Sequence, residues 1–165
     1  MSSPPIIIGI DPGLSGAMAA VSADLLETID LPTTERLVNG KKKRQLDLHA
    51  LANELRCYPL SIVKFVIVEH VGAMPGQGVT SSFNFGFTAG AIQGVVTALG
   101  FPIRTVHPQV WKRYFRLLGQ PKDASRAEAS RRFPAYADQW PLKKHDGRAE
   151  AALLALYGSL IEAAK

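Results

Sequence analysis

The sequence predicts an α/β domain built on a mixed sheet, and three observations support this prediction. Residues 6–21, IIIGIDPGLSGAMAAV, have the pattern of a buried strand, a tight Pro-Gly turn and a returning strand. Residues 64–70, KFVIVEH, are continuous in their apolar part, which is typical of a strand buried on both faces. Helical spacing then dominates from residue 108 onwards.

The remaining elements follow in order along the chain. Residues 24–31 predict a third strand, and the cationic segment at 41–44 predicts a loop or a hairpin. The later segments predict a helix from about Asp47 to before Pro59, a Gly- and Ser-rich loop at 72–82, a small-residue helix at 83–99, a short strand at 102–106, and helices at 108–118, 123–133 (with Asp123 as its cap) and 145–163.

Size and composition indicate a single folded domain over residues 1–165. The chain has a mass of 17.9 kDa, with 47% hydrophobic and 20% charged residues, as in water-soluble globular proteins. Its one cysteine, Cys57, excludes an intrachain disulfide and predicts a reducing compartment. We expect Cys57 to be a buried helix residue. No apolar run approaches the roughly 20 residues that span a bilayer, and the start lacks a signal-peptide pattern.

Four acids form the candidate chemical site. Asp11 and Glu69 end two predicted strands, whereas Asp146 and Glu150 are four residues apart on a predicted helix. Side chains at that spacing share one helix face, with Cβ atoms roughly 5–6 Å apart, so their charges repel. Divalent cations would offset the repulsion, and oxygen ligands select Mg²⁺ or Mn²⁺. Two such ions about 3.5–4 Å apart hydrolyse phosphodiesters.

Each acid also has a purely structural interpretation. Glu150 could be an exposed helix residue, Asp146 could cap its helix, and Glu69 could pair with a lysine.

The charge distribution favours a polyanionic partner. The net charge is +5 with a pI near 9.5, and residues 104–148 hold eleven of the nineteen Lys and Arg residues. Nucleic acid is the partner this predicts, and a solvated charged face is the alternative.

Three segments together resemble a known family. GIDPGLSG (9–16), VIVEHV (66–71) and HDGRAEAALLALYG (145–158) resemble the RuvC family of Holliday junction resolvases, within the ribonuclease H-like superfamily. The likeness is strongest to the monokaryotic-chloroplast resolvase branch of plants. That branch shares the basic segment before the first helix and the motifs HPQVWKR (107–113), KDASR (122–126) and KK-x-x-GRAEA (143–151).

The resemblance implies a ribonuclease H-like, five-stranded sheet whose second strand is antiparallel, flanked by helices. It implies two Mg²⁺ ions per active site, with Mn²⁺ as a substitute. Asp11 would bridge both ions, Glu69 would bind one, and Asp146 with Glu150 would complete the catalytic set. The plant pattern orders His and Asp differently, so His145 or Asp146 could take the fourth position, and helix geometry favours Asp146. His145 could orient a phosphate or only start the helix.

The resemblance also predicts a DNA surface and a dimer. Phe83 and Phe85 are expected near the junction centre, where aromatic rings stack on bases, or else in the core. The candidate phosphate contacts are Lys112, Arg113, Lys143, Lys144 and Arg148, with Lys41, Lys42, Lys43 and Arg44 reaching an outer arm. Trp111 is expected to pack internally. Two symmetric cuts imply a twofold homodimer, and the small-residue helix (88–99) could contact a second copy or its own sheet.

The predicted function is therefore resolution of four-way DNA junctions by hydrolysis to a 5′-phosphate and a 3′-hydroxyl. The alternatives are a non-catalytic junction-binding protein and a nuclease acting on RNA–DNA hybrids. An ATPase with a similar opening turn would require two lobes, and 165 residues are too few for both, so we expect no nucleotide cofactor. We expect a cytoplasmic protein, bacterial or phage-encoded, or an organellar one whose targeting segment has been removed.

Overall fold

The structure, a computed structural model, describes residues 4–70, 72, 76 and 78–164. Its strands are β1 (Ile6–Ile10), β2 (Ala17–Val21), β3 (Leu26–Asp30), β4 (Thr33–Val38), β5 (Lys41–Leu46), β6 (Val63–Glu69) and β7 (Ile103–Val106). Its helices are α1 (Leu48–Arg56), α2 (Val79–Ala98), α3 (Pro108–Tyr114), α4 (Ala124–Arg132) and α5 (Asp146–Ala163), with 3₁₀ turns at Pro134–Gln139 and Lys143–His145.

Five strands form the central sheet in the order β3-β2-β1-β6-β7. Strand β2 is antiparallel to both β1 and β3, whereas β1, β6 and β7 are parallel to one another. This arrangement confirms the predicted five-stranded mixed sheet. Because β1 and β6 run in the same direction, their carboxyl ends lie at one edge, with Ile10 opposite Val68. Asp11 and Glu69 are therefore brought to that edge by the strand register.

The cationic segment is a hairpin and not a loop. Strands β4 and β5 pair antiparallel outside the main sheet, and Val38 lies opposite Lys41. Asn39 and Gly40, at the turn, have φ angles of 50° and 73°. Positive φ at both central residues is the requirement of the tight hairpin turns that match strand twist, which explains the Asn-Gly pair.

The two faces of the sheet are covered by different helices. On one face, Ile7, Ala19 and Phe65 pack with α5. On the other face, the alternate residues Ile8 and Ile10 pack with α1 and α2. Strands β1 and β2 are therefore apolar throughout, because both of their faces are buried. Within the described part of the chain, no helix is both long and apolar enough to cross a membrane.

The boundaries of several helices differ from those predicted from the sequence. Helix α2 begins at Val79, so it includes part of the segment predicted as a loop at 72–82. Residues 73–75 and 77 of that loop lie outside the described residues. Helix α3 ends at Tyr114, because a residue with positive φ, Arg116, follows closely. Asp123 is at the N-cap position of α4, but its side chain makes no capping hydrogen bond in the described structure.

Cys57 is exposed, so the expectation that it is buried is wrong. It is the C-cap residue of α1, one position beyond the last helical residue. The buried side of α1 is formed instead by Leu51 and Leu55, which are four residues apart and occupy one face of the helix.

Candidate active site

The turn after β1 holds Asp11 at the carboxyl edge of the sheet. The Asp11 amide donates to the Ala17 carbonyl at 3.0 Å, and the Gly16 amide donates to the Gly13 carbonyl at 2.8 Å. The Gly13 amide in turn donates to Asp11 Oδ1 at 3.3 Å. The Asp-Pro-Gly sequence thus forms a closed turn that fixes both the backbone and the carboxylate of Asp11.

The first turn of α5 lies directly against this turn, and a glycine makes the approach possible. A Cβ atom on Gly147 would lie 2.7 Å from the Ser15 carbonyl oxygen and 2.9 Å from Gly16 Cα. These separations are shorter than side chains tolerate, so only glycine fits. The neighbouring residue Asp146, and Glu150 one turn later, are thereby brought to the same edge as Asp11.

The carboxylate of Asp11 is buried and is influenced by Glu150 and Glu69. Burial and the nearby carboxylates of Glu150 and Glu69 raise the pKa of Asp11 from 3.8 to about 7, against the opposing effects of the Gly13 amide and Lys112. Burial also raises the pKa of Glu69, although Trp111 and Lys112 oppose the shift. The indole Nε1 of Trp111 donates a hydrogen bond to Glu69 Oε1 at 3.0 Å, and this bond orients the Glu69 carboxylate.

An open cavity of about 430 Å³ is lined by Asp11, Asp146 and Glu150. Lys112, Lys122 and Ser125 line the same cavity. The Lys112 ammonium is 3.1 Å from Glu150 Oε1 and the Ser125 hydroxyl donates to that oxygen at 2.9 Å. Arg126 Nε lies 2.6 Å from Asp146 Oδ1.

Three residues at this cavity and beside α5 carry no site role predicted from the sequence: Lys122, Ser125 and Arg126. All three belong to the motif KDASR, which carried the resemblance but contains no acid with a predicted role. Their position beside α5 depends on how α4 packs, and helical spacing does not encode that packing. The motif was therefore the only signal that could have identified them.

The acids suit a hard divalent cation by the chemistry of their donor atoms. All four supply carboxylate oxygens, the ligands preferred by Mg²⁺ and Mn²⁺. Burial is the largest cause of the raised pKa of Asp11, and the negative charges of Glu150 and Glu69 add to it. Among residues 4–70, 72, 76 and 78–164, no group of three His, Cys, Asp or Glu side chains forms a ready-made metal site. The fit to such an ion therefore lies in the chemistry of the donor atoms and not in a preformed cluster.

His145 and Asp146 occupy different environments. His145 is buried immediately before α5, and its Nδ1 accepts a hydrogen bond from the Leu142 amide at 3.3 Å. Burial lowers the pKa of His145, which favours the neutral imidazole. Asp146, in contrast, lines the cavity. The geometry favours the helix-start interpretation for His145 and places Asp146 with the other acids.

Comparisons with known proteins agree with this architecture. No family model matches the chain. The RuvC structure from Thermus thermophilus matches with a TM-score of 0.59 and 16% identity, over 96% of each chain. The RuvC from T. thermophilus in complex with Holliday junction substrate matches with a TM-score of 0.62 and 14% identity, also over 96% of each chain. The chain has the RuvC fold.

A sequence relative supports the same resemblance. The chloroplastic Holliday junction resolvase MOC1 from Chlamydomonas reinhardtii is 31% identical over 100 residues. The match covers 60% of this chain and 11% of that protein, so the chain accounts for a small part of the relative's length. The resemblance to RuvC-type resolvases predicted from the sequence is thus confirmed by fold and by sequence similarity.

Most predicted cationic contacts are exposed around the edge of this RuvC fold. Lys41, Lys42 and Lys43 are exposed on β5, and Arg113, Lys143 and Lys144 are exposed near the site. The Arg44 guanidinium donates to the Leu14 carbonyl and, at 3.3 Å, to Ser15 Oγ. The hairpin is therefore attached to the turn that holds Asp11.

Arg148 differs from the other cationic candidates. Its guanidinium contacts both Asp30 oxygens, at 2.7 and 2.8 Å, and donates to the Gln139 carbonyl at 3.0 Å. These contacts tie α5 to the end of β3. We therefore leave Arg148 out of the proposed phosphate contacts, because its donors already serve the fold.

Two of the three aromatic residues of α2 are exposed. Phe83 is 70% exposed, so the alternative that it belongs to the core is wrong, and Phe85 is only partly buried. Phe87, which the sequence analysis did not select, is 67% exposed and stacks with Phe83 at 6.4 Å between ring centroids. Both rings line a cavity of about 410 Å³ together with Lys43 and Arg44 of the hairpin. Trp111 is buried, as expected.

Proposed function

We propose that this chain is a metal-dependent endonuclease that resolves four-way DNA junctions by two symmetric cuts. The observation that carries the proposal is the grouping of a buried Asp11 with Asp146 and Glu150 around a cavity that Lys112 and Lys122 also line. Burial first, and then the charges of Glu150 and Glu69, raise the pKa of Asp11 there. Concentrated carboxylates surrounded by cations suit a site that binds divalent ions and a phosphodiester together.

The comparisons support the substrate class. MOC1 is named as a Holliday junction resolvase, and one structural relative is a RuvC bound to Holliday junction substrate. By this proposal the enzyme is a crossover junction endodeoxyribonuclease acting in DNA recombination and repair. The chloroplastic relative supports an organellar location, and a bacterial or phage cytoplasm is the alternative.

The four acids would hold two Mg²⁺ ions, with Mn²⁺ able to replace them. Bound ions would supply an activated water and stabilise the leaving oxygen, giving a 5′-phosphate and a 3′-hydroxyl. Asp11, whose carboxylate is held by the Gly13 amide, would be one of their ligands. Glu69 is oriented by the Trp111 indole, and Glu150 by Ser125 and Lys112. Lys112 and Lys122, which line the cavity, would neutralise the phosphate as it enters.

The DNA surface would extend from the site across the hairpin and the start of α2. Lys143, Lys144, Arg113 and the hairpin cations would contact phosphates, and Phe83 with Phe87 would stack on exposed bases. The cavity between the rings and the hairpin combines aromatic faces with the cations Lys43 and Arg44. That combination suits nucleotides that are not base-paired, as at the centre of a junction.

We also propose that α2 forms the interface of a homodimer. A Cβ atom added at Gly86, Gly90 or Gly94 would meet no described atom within 4 Å, so these glycines lie on an open face of the helix. The face that packs on the chain's own sheet is formed by other residues, including Ile92 and Val96. An open small-residue face is suited to a second copy, as two symmetric cuts require.

The test is cleavage of a synthetic four-way junction against its linear duplex and an RNA–DNA hybrid, each with Mg²⁺ and with EDTA. We expect paired nicks on the junction alone and only with metal. Asp11→Asn should abolish the nicks and retain junction binding. Preferential cleavage of the hybrid would replace the proposal with a hybrid-specific nuclease. Binding without cleavage under all conditions would replace it with a junction-recognition protein.

A further inference from the structure

Two consecutive residues at the start of α4 each contact a different carboxylate of α5. Ser125 Oγ donates to Glu150 Oε1 at 2.9 Å, and Arg126 Nε lies 2.6 Å from Asp146 Oδ1. The two carboxylates are one helical turn apart, so both contacts fall on the face of α5 that carries the proposed ligands. Ala129, one turn further along α4, is fully buried and anchors this helix in the core shared with α5.

The surroundings of Ser125 and Arg126 indicate that their contacts with α5 are specific. Ser125 is only 5% exposed, and a buried hydroxyl is costly unless it is hydrogen-bonded, which explains its bond to Glu150. Arg126 extends to the first turn of α5, where a cation is unfavourable beside the positive end of the helix dipole. By contrast, Arg131 and Arg132 pair with Glu128 on their own helix. Arg126 is thus distinguished by its contact with Asp146.

Arg126 and Ser125 each contact one of the two oxygens of a carboxylate. Arg126 contacts Oδ1 of Asp146, and Ser125 contacts Oε1 of Glu150, which Lys112 also approaches at 3.1 Å. Lys112 has a longer contact of 3.3 Å with Oε2. A metal-binding carboxylate is commonly held in this way, with one oxygen hydrogen-bonded so that its orientation toward the ion is fixed.

We propose that Ser125 and Arg126 are positioning residues that orient Glu150 and Asp146 for divalent cations. The inference rests on the proposed function, because it takes these acids as metal ligands. It predicts that removing either residue weakens cation binding about 10- to 100-fold, the usual effect of losing a hydrogen-bond partner of a metal ligand. The effect of Arg126 should depend on Asp146, through which it acts.

The experiment is titration of the whole chain with Mn²⁺, with free Mn²⁺ followed by electron paramagnetic resonance in the absence of DNA. Ser125→Ala and Arg126→Gln should shift the binding midpoint upward by at least about tenfold. Arg131→Gln removes the same charge from the same helix and should leave the midpoint unchanged. Arg126→Lys, which keeps the charge and the fold but loses the planar donor, should give an intermediate shift. In an Asp146→Asn background, Arg126→Gln should have no further effect.

Three results would overturn the inference. They are an unchanged midpoint in both single variants, tighter Mn²⁺ binding in Arg126→Gln, and a full additional loss of binding when Arg126→Gln is added to Asp146→Asn. A wild-type chain that binds no Mn²⁺ would also overturn it. Junction cleavage is measured separately. Normal Mn²⁺ binding with the predicted shifts, but without cleavage, would contradict the proposed function and leave the positioning role intact. Normal cleavage with unchanged midpoints would contradict only the positioning role.

Discussion

Helices α5 and α2 lie on opposite faces of one sheet and use small residues in opposite ways. Helix α5 buries nine of its 18 residues, and its glycines and alanines press against the strands and the turn after β1. Helix α2 buries four of its 20 residues and leaves Val79, Phe83 and Phe87 exposed. The same residue types therefore produce close internal packing on one side and an open surface on the other.

The difference separates the tasks of the proposed enzyme. The acids lie at the α5 side, where close packing fixes their backbone positions. The exposed rings and glycines lie on α2, where a flexible DNA centre or a second copy can be accommodated. Equivalent substitutions on the two helices should consequently change different properties, and this gives direct tests of the comparison.

The largest effect is expected for Gly147→Ala. The added Cβ would lie 2.7 Å from the Ser15 carbonyl, so the start of α5 must move away from the turn that holds Asp11. Displacements of about 1 Å at a reacting centre can cost about 100-fold in rate, and we expect a loss of that order in junction cleavage. Single-turnover cleavage with Mg²⁺ measures the rate. A variant with wild-type rate and stability would show that α5 is not held against the turn.

Gly90→Ala on α2 should leave the folded monomer intact and weaken the dimer. The new Cβ meets no described atom within 4 Å, so the monomer gains only the better helix propensity of alanine, up to about 1 kcal/mol. Across a close interface the same methyl overpacks, at a typical cost of about 1–3 kcal/mol. Sedimentation equilibrium gives the dimer dissociation constant. Unchanged dimerisation would place the interface elsewhere, and a melting temperature of Gly90→Ala no lower than that of the wild type controls for misfolding.

Much of this fold could be predicted from the sequence because its strands are strongly apolar and its turns have specific chemistry. The apolar runs at 6–10 and 65–68 identify central strands. The cationic segment predicted a loop or a hairpin, and the positive φ angles of Asn39 and Gly40 decide for the hairpin. Strand ends also predicted where Asp11 and Glu69 would lie. The start of α2 was missed because Val79 and the residues after it are exposed, so no buried periodicity marks them.

The partners of the acids could not be predicted in the same way. Contacts of Glu69 with Trp111, Glu150 with Ser125, and Asp146 with Arg126 join residues that are between 20 and 42 positions apart. They depend on how α3 and α4 pack at the edge of the sheet. The same limitation applies to Arg148, whose position in a basic segment suggested phosphate binding, whereas Asp30 and Gln139 engage it.

Replacing Lys143 and Lys144 together by alanine should have a moderate effect on binding. Both side chains are exposed immediately before α5, on the site side of the molecule. If each contacts one phosphate, the slope of log binding constant against log salt should fall in magnitude by about two. Fluorescence anisotropy of a labelled junction in EDTA measures this slope. Lys64→Ala, at the opposite end of β6 from Glu69, should leave it unchanged. Equal slopes for all three proteins would exclude the two lysines from the interface.

A further effect, separate from DNA binding and cleavage, is expected in the stability of the metal-free chain. The folded-state pKa of Asp11 is about 7, above its ordinary value of 3.8, so the folded chain holds a proton that the unfolded chain releases between these values. Stability should therefore decrease as the pH rises from about 4 to about 7, by on the order of 2–4 kcal/mol. Asp11→Asn removes this penalty, so at pH 8 in EDTA it should melt several degrees above wild type. At pH 4 the two proteins should melt at the same temperature.

Mg²⁺ should stabilise the wild type more than the variant, since the ion replaces the proton in neutralising the carboxylate. Differential scanning calorimetry measures both differences, and a variant that melts below wild type at pH 8 would contradict an unfavourable burial of the charged Asp11 carboxylate.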